Sequence, residues 1–502
     1  MSTTYAPSGV NIKVYPYEDF QGIDASRDPG ALDTGQKQHM VEIVDGFADW
    51  RGTLVRDPGA EQRAAGNKYI KRLSFFGRDL AVWAQVDGGG TTLRSERDHV
   101  KEEVYPRAAV VTSTVFNNKV VFVSRVFVMY QYDGFSWKEI NANSDPRPAY
   151  AVSIQRRLAI AGMPGKRTII DFSRVDKEDV FTDDEDDNAS QVTKAADIDV
   201  GNIIGTADEI KGLGVFENSR LAVFTNDQTL VYQLHPDFTQ WQIDDKANIK
   251  TGCISHNTIT QAGADLLFCS RDGVHSLRRS ETNGITIYTV PMSNKIDLIY
   301  RDLLRNVSNH ETISAYYDQD EGQYHIFFPF YLFYSFPDQI TKRLTLSLNP
   351  MQGGESKWSS GEFLNAVCGV QLGGQTLLGT PGGVWERKRI EDVTTHSPEM
   401  VVTTPILWQG AINDTKESYS FILQATGKGE LQVEAFDERG RYLSAIQFLI
   451  EGDGADDKFP DVPLQRQYER KFEHRYRGVQ FRFTTKGKGL LKIIGFAVQV
   501  RS

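Results

Sequence analysis

Residues 258–279 read TITQAGADLLFCSRDGVHSLRR: two short apolar runs and the start of a third, separated by polar turns at Gly263 and Gly273. An apolar run, a tight polar turn and a second apolar run together mark a β-hairpin. Glycine at the turn supplies backbone angles that residues with a Cβ resist. A single hairpin decides little about a fold, so its recurrence along the chain is what matters.

The phrase recurs. LSFFGRDLAVWAQ (73–85), VTSTVFNNKVVFVS (111–124), YAVSIQRRLAIAG (150–162), GLGVFENSRLAVFT (212–225), SAYYDQDEGQYHIFF (314–328) and AVCGVQLGGQTLLGT (366–380) repeat it, making seven instances with TITQAGADLLFCS. Their turns lie on average about 49 residues apart, close to the period of roughly 40 to 50 residues for the blades of a β-propeller. Several units run on into a further strand that ends on an aromatic, with Trp137, Trp241 and Trp358 placed alike. These side chains are expected to fill the wedges between neighbouring blades.

Ser270, Asp272 and Gly273 stand in the order of the Asp-box turn of sialidase-type propeller enzymes. The stretch CSRDGVHSLRR (269–279) aligns, however, with GTPGGVWERKR (379–389) and more loosely with FTNDQTLVYQL (224–234), at the same place in each repeat. The turn therefore reads as punctuation between two strands. The fold expected is all-β: a propeller over residues 66–394, six blades favoured and seven possible, because short sheets closed in a ring leave little open edge.

The flanks differ. Residues 1–65 hold two DPG turns, at Asp28 and Asp57, around VEIVDGFADWRGTLV, and read as an N-terminal arm that packs on another surface. Residues 395–502 alternate over longer runs, with Leu431, Val433 and Ala435 on one face, and read as a β-sandwich-like C-terminal domain with ERG and KGKG as hairpin turns.

Composition narrows the function. Of 502 residues, 40% are hydrophobic and 24% charged, ordinary values for a globular chain. Cys253, Cys269 and Cys368 form no CxxC pair or disulfide framework and read as reduced, buried thiols. The N-terminus has no secretory pattern and no apolar run is long enough to span a bilayer, so synthesis in a cytoplasm without stable membrane insertion is expected. The net charge of −10 argues against gripping nucleic acid over the whole surface.

The sequence contains no P-loop, no GxGxxG after a strand, no HExxH and no GxSxG. No catalytic residue, cofactor or metal is therefore expected, although paired carboxylates of a glycosidase can be assembled from distant strands. The acidic run Asp183, Asp184, Glu185, Asp186 and Asp187 resembles the start of a calcium loop, but Asn188 and Lys194 stand where glycine and glutamate are needed. It reads as an acidic loop on the surface or facing a lumen. Two further candidates are partner contacts. In RQYERKFEHRYRG (466–478), Arg470, Lys471, Arg475 and Arg477 interleave with aromatic residues, which suits a subunit-contact strand or, second, nucleic-acid stacking. In FPFYLFYSFP (328–337), Phe330, Tyr331, Phe333 and Tyr334 sit in a connector longer than its siblings, a place where binding surfaces are built.

The order of these parts, RDPGALDTGQKQHMVEIVDGFADWRGTLVRDPG (27–59), the propeller repeats, and the terminal KFEHRYRGVQFRFTTKGKGLLKIIGFAVQVR (471–501), resembles the tail nozzle, or packaged-DNA stabilisation, proteins of short-tailed bacteriophages. The resemblance implies a structural protein of the virion tail, made in the host cytoplasm. It implies a homo-hexameric ring below the portal and its adaptor ring, retaining packaged DNA, guiding its ejection and contacting tail fibres or tailspikes. Viral double-stranded DNA would pass without tight binding, as acidic walls favour. A carbohydrate-active propeller enzyme is the alternative.

Overall fold

The computed structural model describes residues 12–33, 37–49, 51–65, 69–87, 90–125, 127–144, 146–183, 190–205, 207–216, 219–244, 248–277, 291–330, 340–348, 356–389, 397–452, 455–456, 459–463, 466–487 and 491–501. Each of the seven repeated phrases forms the first two strands of an antiparallel unit, paired in register across its turn. Asn117 and Asn118 at one turn, and Gln155 and Arg156 at the next, all have positive φ. That is the backbone of the tight turns that match the twist of a hairpin.

Six of these units are self-contained blade sheets among the described residues, at 70–106, 112–139, 150–199, 210–243, 260–276, and 368–387 completed by Ala60–Ala65. The remaining unit, residues 314–361, occupies its place in the ring but is continuous with a larger sheet. Each junction round the ring has an apolar cluster. Phe122 and Leu93 lie in one, Leu158 and Val121 in the next, then Ile170 with Leu230, and Phe224 with Phe268. Leu267 with Ile326, Tyr316 with Leu378, and finally Leu377 with Leu73 complete the circle. The propeller expected from the repeats is present, and both faces of every blade are buried against neighbours.

Trp137 and Trp241 lie between blades as the repeat suggested. Trp137 packs against Phe122 and Tyr132, 5.6 and 4.8 Å between centroids, and its Nε1 donates to the carbonyl of His99 in the preceding blade at 3.0 Å. Trp241 lies 4.5 Å from Phe172 of the preceding blade, and Trp358 is fully buried. Such aromatic pairs add about 0.5–1.5 kcal/mol each beyond the area they bury.

The C-terminal region is organised by one 22-residue strand, Lys416–Asp437. Its first half pairs with Leu491–Arg501 on one side and Arg466–Lys471 on the other; its second half pairs with Val479–Lys486 and Tyr442–Gly452. Leu431, Val433 and Ala435 are all buried, as their alternation requires. The ERG turn connects Lys416–Asp437 to Tyr442–Gly452, with Gly440 at φ 74°. Part of the KGKG turn lies outside the described residues.

The surface on which residues 12–65 pack is this chain's own. Ile12–Ile23 pairs antiparallel with Leu491–Arg501 and buries Tyr17, Phe20 and Ile23. Glu42–Val44 pairs with Val401–Thr403 on one side and touches Lys357–Gly361 on the other. This short strand joins the propeller unit at 314–361 to the C-terminal strands, giving a 16-stranded sheet among the described residues. Ala60–Ala65 then becomes the outermost strand of the closing blade, antiparallel to Gly383–Arg387. The ring is thus fastened by chain from its own N-terminal side.

Candidate functional site

The turn at 270–273 is tied to itself. The Ser270 amide donates to the Gly273 carbonyl at 2.7 Å, and Ser270 Oγ and His275 Nε2 both bond to the Asp272 carboxylate, the latter at 3.0 Å. Burial works to raise the Asp272 pKa, but the bonds from His275 and Ser270 prevail and hold the carboxyl down at about 2. The matching turn at 380–383 makes similar bonds, with Thr380 Oγ1 accepting from the Gly382 amide and donating to the Gly383 carbonyl. Both are strand-joining turns whose polar side chains are spent on local bonds.

Arg271, between Ser270 and Asp272, takes a different course. It lines a cavity of about 260 Å³ at one mouth of the propeller together with Lys211, Asn226, Cys253, Ile254, Ser308, Asn309, His310 and Glu311. These residues come from the start of an inner strand, from two turns after second strands, from the segment before His256–Thr258, and from the approach to Ser314–Asp318. Lys211 Nζ is held 2.7 Å from Glu209 and 3.3 Å from Glu311. The bond from Lys211, with Arg125 and Arg167 in electrostatic range, holds the Glu209 carboxyl below its usual value. Asn226 Nδ2 donates to Asp208 at 3.0 Å and His310 Nε2 is 3.1 Å from the Leu304 carbonyl. Nothing in the sequence groups these positions, because they are single residues scattered over a hundred positions; the charged tip of the opening turn is the one signal it offers.

The basic strand is only half of what its sequence suggested. Arg470, Lys471, Arg475 and Arg477 are exposed, but Phe472 and Tyr476 are buried and Tyr468 packs against the main core. Alternation turns charge outward and aromatics inward, so no row of rings accompanies the cations at the surface. Lys471 lies 3.3 Å from Glu473 and Arg475 3.6 Å from Glu417, and Arg470 sits over the Phe448 ring at 5.7 Å.

In the aromatic connector, Phe330 ends the strand Gln323–Phe330, opposite Ile340, and packs partly buried against the main core; Tyr331, Phe333 and Tyr334 lie outside the described residues. Of the acidic loop, Asp183 accepts from the Ala195 amide at 2.8 Å and lies 3.2 Å from Arg174. Asp184, Glu185, Asp186 and Asp187 lie outside the described residues.

A second charged group is buried where the ring closes. Arg387 reaches Asp318 at 3.1 Å, Glu321 at 2.8 Å and Asp57 at 3.4 Å, while Arg343 bonds to Asp57 and lies 3.7 Å from Asp45. Burial would raise the Asp57 pKa, yet Arg343 and Arg387 overcome it and hold this carboxyl far below the usual range. The group joins three stretches of chain and is sealed from solvent, so it works as a fastening. Among the described residues, no three His, Cys, Asp or Glu side chains are grouped to hold a metal ion, and no helix is long and apolar enough to cross a membrane.

No family model matches the chain, and no curated protein matches it. Among solved structures it is similar to virginiamycin B lyase from Staphylococcus aureus, at 11% identity and TM-score 0.40 over 65% of this chain and 98% of that one. It is similar to BamB from Moraxella catarrhalis, at 12% identity and TM-score 0.36 over 69% and 96%. The WD40 domain of SCAP from fission yeast is matched at 8% identity and TM-score 0.29 over 85% and 97%. All three likenesses fall below a TM-score of 0.5, and the propeller rests on the strand pairing itself.

Proposed function

We propose that this chain is the subunit of a ring-shaped conduit, the tail nozzle of a short-tailed bacteriophage. Six copies extend the DNA channel below the portal and adaptor, help to retain packaged DNA, guide its ejection and carry tail fibres or spikes, with no catalytic step. The observation that supports this reading is the continuous hydrogen-bonded path from the propeller unit at 314–361, through Glu42–Val44, into the C-terminal strands. A ring that holds DNA under pressure needs subunits whose parts cannot hinge, and a shared sheet supplies that rigidity where a linker would not. The acidic balance agrees with passage rather than capture: six copies at −10 each carry 6 × (−10) = −60. The exposed cations at Arg470, Lys471, Arg475 and Arg477 are candidates for subunit or adaptor contact in such a ring.

The test is electron microscopy of the purified chain mixed with DNA-filled, tailless phage heads carrying their adaptor. Six-fold density below the portal is expected. Bare heads beside free monomers would overturn the reading.

A second reading, a carbohydrate-active propeller enzyme, is favoured by one observation: acidic and basic side chains converge with a cavity at one mouth of the propeller. Release of reducing sugar from acidic and neutral polysaccharides, lost on replacing Glu311 by Gln, would favour it over the conduit.

A further inference from the structure

The mouth cavity has a polarity that sets it apart from the rest of the chain. Its lining carries Lys211 and Arg271 against Glu311, two cations to one carboxylate, on a chain whose net charge is −10. Lys211 is fixed by two carboxylates, which leaves one of its three N–H donors for a further acceptor. Arg271 is exposed and forms no hydrogen bond or ion pair with the described residues, so its planar fork is open to a carboxylate. Asn226 has its amide nitrogen occupied by Asp208, and the Nε2 of His310 is engaged with Leu304, so Oδ1 of the one and Nδ1 of the other remain as acceptors beside the Ser308 hydroxyl. At about 260 Å³ the space lies below the range of drug-sized pockets, about 300–1,000 Å³.

We propose that this cavity binds a small hydroxy-carboxylate, its carboxylate on Arg271 and Lys211 and its hydroxyl groups on Asn226, Ser308 and His310. The pairing follows from chemistry: a planar anion matches the guanidinium, and hydroxyl groups match a mixed set of donors and acceptors. A free sugar acid and the terminal uronate of an acidic polysaccharide share this description. The site belongs to one subunit, so it stands or falls apart from ring assembly.

Titration calorimetry of the full chain with sodium glucuronate tests it. Saturable binding is expected, weakened at least tenfold by Arg271→Ala, with glucose, which lacks the carboxylate, binding at least tenfold more weakly than glucuronate. Methyl glucuronoside binding as well as glucuronate would assign the site to a chain-terminal uronate; gluconate binding better would assign it to a free acid. No heat with any carboxylate, undiminished binding by Arg271→Ala at an unchanged melting temperature, or equal binding of inorganic phosphate would overturn the proposal.

Discussion

Arg387 and Asp57 meet inside the closing blade, Nε to Oδ1 at 3.4 Å, with both side chains 3% exposed. One stands on the strand Gly383–Arg387; the other precedes the strand Ala60–Ala65 that pairs with it. The pair therefore fastens together chain ends of the ring that are more than three hundred residues apart. Removing one partner of a buried pair leaves an uncompensated charge, which costs about 3–5 kcal/mol. Asp57→Asn keeps the volume and is expected to cost about 3 kcal/mol in urea unfolding at pH 7. The Asp57 carboxyl is depressed, so its contribution is full above the unfolded value near pH ~4 and is lost as pH falls through the lower folded value. A variant as stable as the parent would remove the fastening role.

Glu321 behaves in the opposite sense. Burial pushes its carboxyl up to about 6, against the opposing charge of Arg387 at 2.8 Å. A folded value above the unfolded one means stability that is complete below the unfolded value, near pH ~4.3, and lost as pH rises through about 6. Glu321→Gln does not titrate there. Between pH 4 and pH 7 the variant should gain on the parent by on the order of 2 kcal/mol, read from unfolding midpoints. A difference independent of pH would show that Glu321 ionises normally.

Gly273, at the end of the opening turn, has φ 147°, and a Cβ there would lie 2.4 Å from Ser293 Oγ and 2.5 Å from Pro291 Cβ. Gly273→Ala should therefore lower stability by about 1–3 kcal/mol, measured by thermal unfolding. Gly263, with nothing within 4 Å, is the internal comparison. Its replacement by Asn, a residue tolerant of positive φ, should cost less than ~1 kcal/mol.

The strand Ile12–Ile23 is core rather than appendage, since Tyr17, Phe20 and Ile23 are all buried, residues 12–18 pair with Leu491–Arg501 and the remainder pairs in parallel with Lys37–Met40. Burying each such side chain is worth about 1.5–3 kcal/mol. Deleting residues 1–24 should cost about 5 kcal/mol or more, giving protein with a sharply lowered unfolding midpoint or none in the soluble fraction. An unchanged midpoint would mean that the C-terminal sheet stands without it.

The three thiols, Cys253, Cys269 and Cys368, are buried and pushed up to about 12 by that burial. The thiolate is the reactive form, and at pH 8 it would be only about one part in ten thousand. An aromatic disulfide reagent should therefore titrate no thiol in the native chain and all three in denaturant. Rapid native labelling of any one would show an exposed thiol.

Local pattern carried much of this fold. Hairpins such as 111–124 and 150–162 are legible because apolar runs and turn residues lie within a few positions of each other, and strand pairing across a tight turn needs nothing from elsewhere. The same holds for the alternation at Leu431, Val433 and Ala435, and for Trp137 and Trp241 between blades. The basic strand at 466–471 was legible as a strand, but its aromatics were not legible as core, because period two alone does not say which face meets water.

What the tertiary structure decided is where distant pieces meet. Glu42–Val44 joining the propeller unit to the C-terminal strands, Ala60–Ala65 completing the last blade, Asp57 between two arginines, and Arg271 beside Lys211 and Glu311 all bring together residues far apart in the chain. A carboxylate in a DPG turn and an arginine in an SRDG turn look like any solvated turn residues when read along the sequence. Burial and opposing charge, which give them their roles, exist only once the ring has closed, since both depend on distances through space that spacing along the chain does not set.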